Sequence, residues 1–244
     1  MPETHTLTGN FAAEAGDQVT PAQGLKMAEL TYLIAHELRN PCTIIGGFAA
    51  LLNRLVKPAD KEGEYARIIM QESVRMEKAI DAVLEFSQAL GAERRQVELG
   101  DLATSAVEEF RSRHALSRIN LSVAAGDTSL SVFVVPDQMV GALIEIMGHL
   151  LAASSQKLEL ELKVESESEL GRIYLMPTLP DKEQSEIRAL VASVVAPERD
   201  PDTLPLTLAR ESLRLNDCSL ELAAESSGQT YLYVEMPLSE GNNV

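Results

Sequence analysis

Residues 34–41, Ile-Ala-His-Glu-Leu-Arg-Asn-Pro, bring an imidazole, a carboxylate and an amide together within about two turns of a predicted helix. His36 lies about 200° around that helix from the apolar positions, so its ring is expected in solvent, where a neutral nitrogen can attack phosphorus. Glu37 could accept the second ring proton, and Asn40 could reach a water or a phosphoryl oxygen. Composition alone would favour a merely solvated polar face.

The helix that carries these residues is predicted to span residues 24–56. Its apolar positions step by alternating fours and threes, the spacing of a seam between packed helices. These positions are Leu30, Ile34, Leu38, Pro41, Ile45, Phe48, Leu52 and Leu55. After a break at residues 57–60 the same stepping runs to about Leu90, which predicts a helical hairpin. Two helices cannot enclose so wide a stripe, so we expect a homodimer whose hairpins form a four-helix bundle.

The hydrophobic period changes after residue 92, and helices then alternate with strands. Predicted helices lie near residues 101–113, 137–153, 181–195 and 205–216, and predicted strands near 120–123, 131–135, 158–164, 172–176, 219–225 and 230–237. This order is typical of an α+β sandwich with helices on one face of a sheet. The predicted organisation is a flexible leader over 1–23, a helical hairpin over 24–92 and an α+β sandwich domain over 93–244.

The order His36-Glu37-Leu38-Arg39-Asn40-Pro41 closely resembles the H-box of sensor histidine kinases, on the first helix of their dimerisation and histidine phosphotransfer domain. The resemblance implies that His36 is the phosphorylated residue, that Glu37 assists transfer, and that Asn40 orients the water that dephosphorylates a response regulator. A receiver domain would then dock near Ala35, Arg39 and Thr43. The resemblance also implies a Bergerat-like sandwich for the second domain.

Beyond residue 120 the resemblance covers the scaffold but not the nucleotide-binding residues. Two asparagines of the kinase N-box are matched here by Glu145 and His149. The Asp-x-Gly-x-Gly loop that holds adenine is matched by residues 177–180, Pro-Thr-Leu-Pro, and the Gly-x-Gly-Leu phosphate loop by residues 203–209, both without glycine. Proline and β-branched residues cannot adopt glycine-only conformations, so neither ATP nor magnesium is expected as a cofactor.

Composition and charge exclude several other functions. The 37 acidic and 21 basic residues give a formal charge of −16, which would repel nucleic acid and anionic lipid. No apolar run approaches the roughly 20 residues of a membrane span, and the start lacks a secretory signal, so a cytoplasmic location is expected. The four histidines and two cysteines lack ligand spacing, and no metal site is predicted.

The sequence therefore predicts a phosphorelay protein: His36 accepts a phosphoryl group from a response-regulator receiver aspartate and passes it to a second receiver. The receiver would supply the magnesium. The positioning of the reacting groups would supply most of the catalysis. Three alternatives stay open. The first is an active kinase with a divergent ATP site. The second is a non-catalytic pseudokinase that heterodimerises with a histidine kinase through its hairpin. The third is a phosphatase that uses Asn40 and not His36.

Overall fold

The computed structural model describes residues 21–56, 60–114, 118–124, 130–154, 157–179, 184–195, 203–224 and 229–239, with side chains from residue 29 onward except that of residue 89. Outside these ranges lie the predicted leader up to residue 20, residues 57–59 of the predicted break, and residues 180–183. One compact unit comprises the described residues between 21 and 92, and the other comprises most of the described residues from 93 onward.

The first unit is the predicted helical hairpin. Helix α1 spans Pro21–Leu55 and continues through Pro41, and helix α2 spans Lys61–Ala89. Glu62 and Glu64 lie in the first turn of α2, where negative charge interacts favourably with the helix dipole. The two long helices place the histidine segment on the side of a rod.

The second unit is the predicted α+β domain. Its helices are α3 Leu99–Arg113, α4 Pro136–Ala153, α5 Gln184–Val195 and α6 Leu204–Leu215. Its strands are β1 Arg95–Glu98, β2 Ile119–Val123, β3 Ser131–Val134, β4 Leu158–Glu167, β5 Leu170–Thr178, β6 Ser219–Ala224 and β7 Thr230–Pro237. The main sheet has the order β2-β4-β5-β7-β6, with β2 and β4 parallel and the other pairs antiparallel. Strands β1 and β3 form a separate antiparallel pair.

Alternation along the strands decides which side of the main sheet is covered. In β4 the side chains of Leu158, Leu160 and Leu162 are buried, whereas Glu159 and Glu161 are exposed. Residues of α3, α4, α5 and α6 belong to the same buried cluster as these leucines. The sheet thus has one face in the core and one more polar face.

Two details of this unit differ from the sequence prediction. Strand β1 was not predicted, because four residues with a polar sequence carry no usable period. The strand predicted over residues 172–176 extends to Thr178, and Pro177 is a strand residue paired with Leu160, not the start of a loop. Pairing of β5 with β7 ends at Leu175, so a residue that lacks an N–H group is tolerated there.

Candidate functional site

The predicted phosphoryl-transfer residues lie on the outer surface of α1. His36, Glu37 and Asn40 are all exposed, as their helical positions predict. Pro41 lies inside the helix, where its nitrogen cannot donate to the carbonyl of Glu37. The imidazole is therefore accessible to a partner from solvent in the single chain.

The seam between α1 and α2 consists of small side chains. On α1 the buried residues recur every seven positions, at Ala35, Cys42 and Ala49, and on α2 they include Ala66, Ser73 and Ser87. A seven-residue spacing keeps one face turned towards the partner helix, and small side chains allow the two backbones to lie close together. Because Ala35 is only 4% exposed, its predicted role in docking a receiver is wrong.

The large apolar side chains that the periodicity assigned to the helical seam point away from it. Ile34, Leu38, Ile45 and Phe48 are between 44% and 66% exposed in the single chain, and Leu55 is 82% exposed. Tyr65, Ile68, Ile69, Met76 and Val83 of α2 are also exposed. The apolar stripe is thus a surface of the hairpin, which we call the apolar face.

The two helices pack closely around Ser73. Its Oγ donates to the carbonyl oxygen of Cys42 at 2.5 Å, and the Ser73 side chain is buried. A Cβ atom placed on Gly46 would lie 2.8 Å from that Oγ, whereas one placed on Gly47 would meet nothing within 4 Å. Gly46 is therefore needed for the close approach of the helices, and Gly47 is not.

Two polar pairs connect the histidine segment to α2. Arg39 Nη2 donates to Asp81 Oδ1, and Thr43 Oγ1 donates to Glu77 Oε1 at 3.2 Å. Arg39 and Thr43 are four residues apart, as are Glu77 and Asp81, so two antiparallel helices bring the pairs into register. The two side chains predicted to dock a receiver are thus already engaged within the hairpin. Their partners on α2 were not predicted.

In the second unit, the side chain of His149 connects helix α4 to helix α5. Its Nε2 lies 3.0 Å from Ser193 Oγ, which itself donates to the carbonyl of Leu190 at 2.7 Å. Since the hydroxyl proton is used in that bond, Nε2 is best assigned as the protonated ring nitrogen. Burial lowers the pKa of His149 below its ordinary value of 6.5, so the ring is neutral at pH 7.

The segment matched to the phosphate loop is helical. Helix α6 begins at Leu204, and Leu206 and Ala209 are buried in the core. Asn216 connects the end of α6 to the start of α4. Its Oδ1 accepts a hydrogen bond from the amide of Val135 at 2.7 Å, and its Nδ2 donates to Gln138 Oε1 at 2.5 Å. Leu206 and Ala209 of the matched segment thus pack in the core, and the backbone there is helical and does not form a loop around a phosphate group.

The hairpin is similar to a domain of known proteins. Residues 26–91 match the model of the His Kinase A (phospho-acceptor) domain. The chain is 27% identical over 227 residues to the sensor protein kinase PilS of Pseudomonas aeruginosa, a match that covers 89% of this chain and 42% of PilS. It is 26% identical over 121 residues to the sensor histidine kinase ZraS of Salmonella typhimurium, covering 49% of this chain and 26% of ZraS. The chain thus spans less than half the length of these relatives.

Two solved structures share the fold over nearly the whole chain. The histidine kinase ThkA, in complex with the response regulator protein TrrA, matches with a TM-score of 0.55 and 20% identity over 94% of this chain and 68% of that one. Full-length ShkA, in complex with AMPPNP, matches with a TM-score of 0.54 and 16% identity over 91% of this chain and 46% of that one. The chain has the fold of a histidine kinase core, with a match to the His Kinase A (phospho-acceptor) domain over residues 26–91.

The positions that the sequence matched to nucleotide-binding motifs make other contacts in the structure. One N-box position is His149, whose ring bonds directly to Ser193 of α5. Pro177 lies within a strand and Leu206 is buried inside α6, in place of the glycine loops. Pro177 has no N–H to donate, and the amides beside Leu206 lie within a helix that packs into the core.

Within the described ranges, no cluster of three or more His, Cys, Asp or Glu side chains is arranged to hold a metal ion. None of the helices in the described part of the chain combines the length and the apolar character needed to cross a membrane.

Proposed function

We propose that this chain is a histidine phosphotransfer protein of a two-component phosphorelay, which carries a phosphoryl group on His36 without using ATP. The observation that supports it is a contrast between the two units. The phospho-acceptor segment is complete and exposed, whereas the positions expected to bind nucleotide are occupied by the contact between α4 and α5 and by buried residues of α6. A receiver domain is the proposed partner, as TrrA is for ThkA.

The proposed reaction is a reversible displacement at phosphorus. A neutral ring nitrogen of His36 attacks the aspartyl phosphate of the first receiver, the P–O bond to the carboxylate breaks, and the aspartate leaves with the electron pair. Glu37 takes the proton from the other ring nitrogen, so the phosphorylated ring stays neutral. Onward transfer returns that proton as a second receiver aspartate attacks the same phosphorus. Asn40 orients a water when a receiver is instead dephosphorylated.

The protein contributes position and access to this reaction, and the receiver brings the magnesium that neutralises the phosphoryl charge. Arg39 and Thr43 lie beside His36 on α1 and form the docking surface together with Asn40. The proposal places this exchange in the cytoplasm.

The proposal includes a homodimer formed through the apolar face. That face exposes more large apolar side chains than a single soluble hairpin would keep in water, and a second copy would cover it with a matching face. Light scattering of the purified chain should give twice the mass of one chain, and the mass of a single chain would contradict it.

Phosphotransfer profiling tests the function directly. Receivers of the source organism, charged with radiolabelled phosphate by a small phosphodonor, are mixed with the purified chain. We expect label on the chain, its loss in His36→Ala, and its retention in Asn40→Ala, in which receiver dephosphorylation stops. If no receiver transfers label, the proposal is wrong.

A second candidate is an active kinase, which the similarity to sensor kinases such as PilS favours. Radiolabelled ATP with magnesium distinguishes the two functions. The phosphorelay protein should take up no label from ATP. Labelling that disappears in His36→Ala would replace the proposal with the kinase.

A further inference from the structure

The ion pair between Arg39 and Asp81 lies beside the proposed phosphoryl acceptor. Arg39 follows His36 by three residues on α1, so the two side chains leave neighbouring positions on one face of the helix. Among the α1 side chains that the structure describes, the only basic residue besides Arg39 and His36 is Arg54, which lies about 27 Å from His36 along the helix axis at 1.5 Å per residue. A phosphoryl group on His36 would thus have one cation of its own helix within reach, and that cation is paired with Asp81.

The face of α2 beside this pair is acidic. Glu77, Asp81 and Glu85 follow one another at four-residue spacing and therefore lie along one side of the helix. A phosphoryl group on His36 would add up to two negative charges next to these carboxylates, and like charges at short range repel. Unless a cation moves towards it, the phosphorylated state is electrostatically disfavoured.

The ion pair is weak enough for Arg39 to change partners. The Arg39 and Asp81 side chains are 40% and 56% exposed, and exposed ion pairs shift an equilibrium by no more than about fivefold. A guanidinium can bind a phosphoryl group of up to two negative charges through two parallel hydrogen bonds, whereas Arg39 donates one hydrogen bond, from Nη2, to the singly charged carboxylate of Asp81. It is therefore energetically favourable for Arg39 to exchange the Asp81 carboxylate for the phosphoryl group on His36.

We propose that Arg39 is the phosphoryl-binding residue of phosphorylated His36, and that Asp81 holds Arg39 in place until the phosphoryl group arrives. Phosphorylation then moves the Arg39 guanidinium from α2 to the histidine and releases the Asp81 carboxylate at the surface where the receiver docks. Asp81 acts only through Arg39 and is a positioning residue. The inference rests on His36 being the phosphorylated residue, as the proposed function states.

Nuclear magnetic resonance of the full chain follows the exchange. Phosphoramidate, a small donor that phosphorylates imidazoles, labels His36 without any receiver. We expect the Nε–H resonance of Arg39 to shift on phosphorylation. We also expect Arg39→Gln to raise the proton affinity of the phosphoryl group, read by ³¹P titration, by at least about threefold, because an opposite charge favours the ionised form. Asp81→Asn should lower that affinity, and Arg39→Gln/Asp81→Asn should behave like Arg39→Gln.

Glu72→Gln is the matched control, because it removes the acid of another exposed ion pair, with Arg75, on the same helix. It should leave both readouts unchanged. The exchange is wrong if Arg39 does not shift, or if Asp81→Asn has the same effect as Glu72→Gln. If phosphoramidate leaves His36 unlabelled, the proposed function fails. The inference can then still be tested by comparing the Arg39 resonance in His36→Glu and His36→Gln, which shows whether a negative charge at position 36 draws Arg39 from Asp81. An unshifted Arg39 resonance there overturns the inference.

Discussion

Replacing Gly46 by alanine should loosen the hairpin, whereas the same change at Gly47 should tighten it. An alanine inside a helix is favoured over glycine by about 0.5–1 kcal/mol, because glycine loses more conformational freedom on folding. Gly47 offers open space for a methyl group, so Gly47→Ala should stabilise the hairpin by about that amount.

At Gly46 the methyl group meets Ser73. The new Cβ would lie 2.8 Å from Ser73 Oγ and 3.3 Å from Ser73 Cβ, so the helices must separate or the serine must rotate. Rotation breaks the hydrogen bond to the Cys42 carbonyl, which costs about 0.5–1.5 kcal/mol, and overpacking a close contact costs about 1–3 kcal/mol. After subtracting the helix-propensity gain, Gly46→Ala should destabilise the hairpin by about 0.5–4 kcal/mol.

Hydrogen exchange measured by mass spectrometry is the suitable assay, because it reports the stability of α1 and α2 separately from that of the other unit. All variants are compared at one protein concentration, since association would also stabilise the hairpin. Adding Ser73→Ala to Gly46→Ala removes the closest contact and should restore part of the lost protection. If amides of α1 exchange equally slowly in Gly46→Ala and Gly47→Ala, the account of a close helical seam is wrong.

Three further predictions concern the second unit. Asn216→Ala deprives the buried Val135 amide of its acceptor and Gln138 of a donor, so urea denaturation should show a loss of about 2–4 kcal/mol. Burial lowers the pKa of His149 in the folded chain, so unfolding takes up a proton below about pH 6.5 and stability falls as pH drops through that range; His149→Gln should flatten this slope. Burial raises the pKa of the Cys218 thiol to about 12, against 9.0 ordinarily, so iodoacetamide at pH 8 should alkylate it about a thousandfold more slowly in the folded than in the unfolded chain.

The sequence predicted the helices and most strands because their periods are strong. The alternation of Leu158, Leu160 and Leu162 with acidic residues defined β4, and the long apolar stepping defined both helices of the hairpin. His36 is exposed as predicted, but the seam of the single chain lies at Ala35 and Cys42 and not at the apolar positions from which that exposure was predicted. Strand β1 could not be predicted in this way, because it is short and polar and is held by its pairing with β3.

The sequence did not indicate which face of α1 packs against α2. Periodicity identifies large apolar side chains that avoid water, but it does not say whether α2 or another molecule covers them. Ala35 and Cys42 carry little hydrophobic signal, yet their small size lets the helices approach most closely. Asp81 was missed for a related reason: it is 42 residues from Arg39, and their pairing depends on the register of two helices. The mirrored four-residue spacing of Glu77 and Asp81 was the available signal.

The small side chains of the hairpin seam have a mechanical consequence. When large side chains insert between the residues of a facing helix, the two helices resist sliding along each other, because each side chain must first leave the space that it fills. Methyl, hydroxyl and thiol groups make a smoother surface, so longitudinal alignment of the two helices depends on the hydrogen bond from Ser73 to Cys42 and on the exposed pairs of Arg39 and Thr43. Exposed charges are screened by salt. Ionic strength should therefore change the alignment of the helices before it changes their helicity.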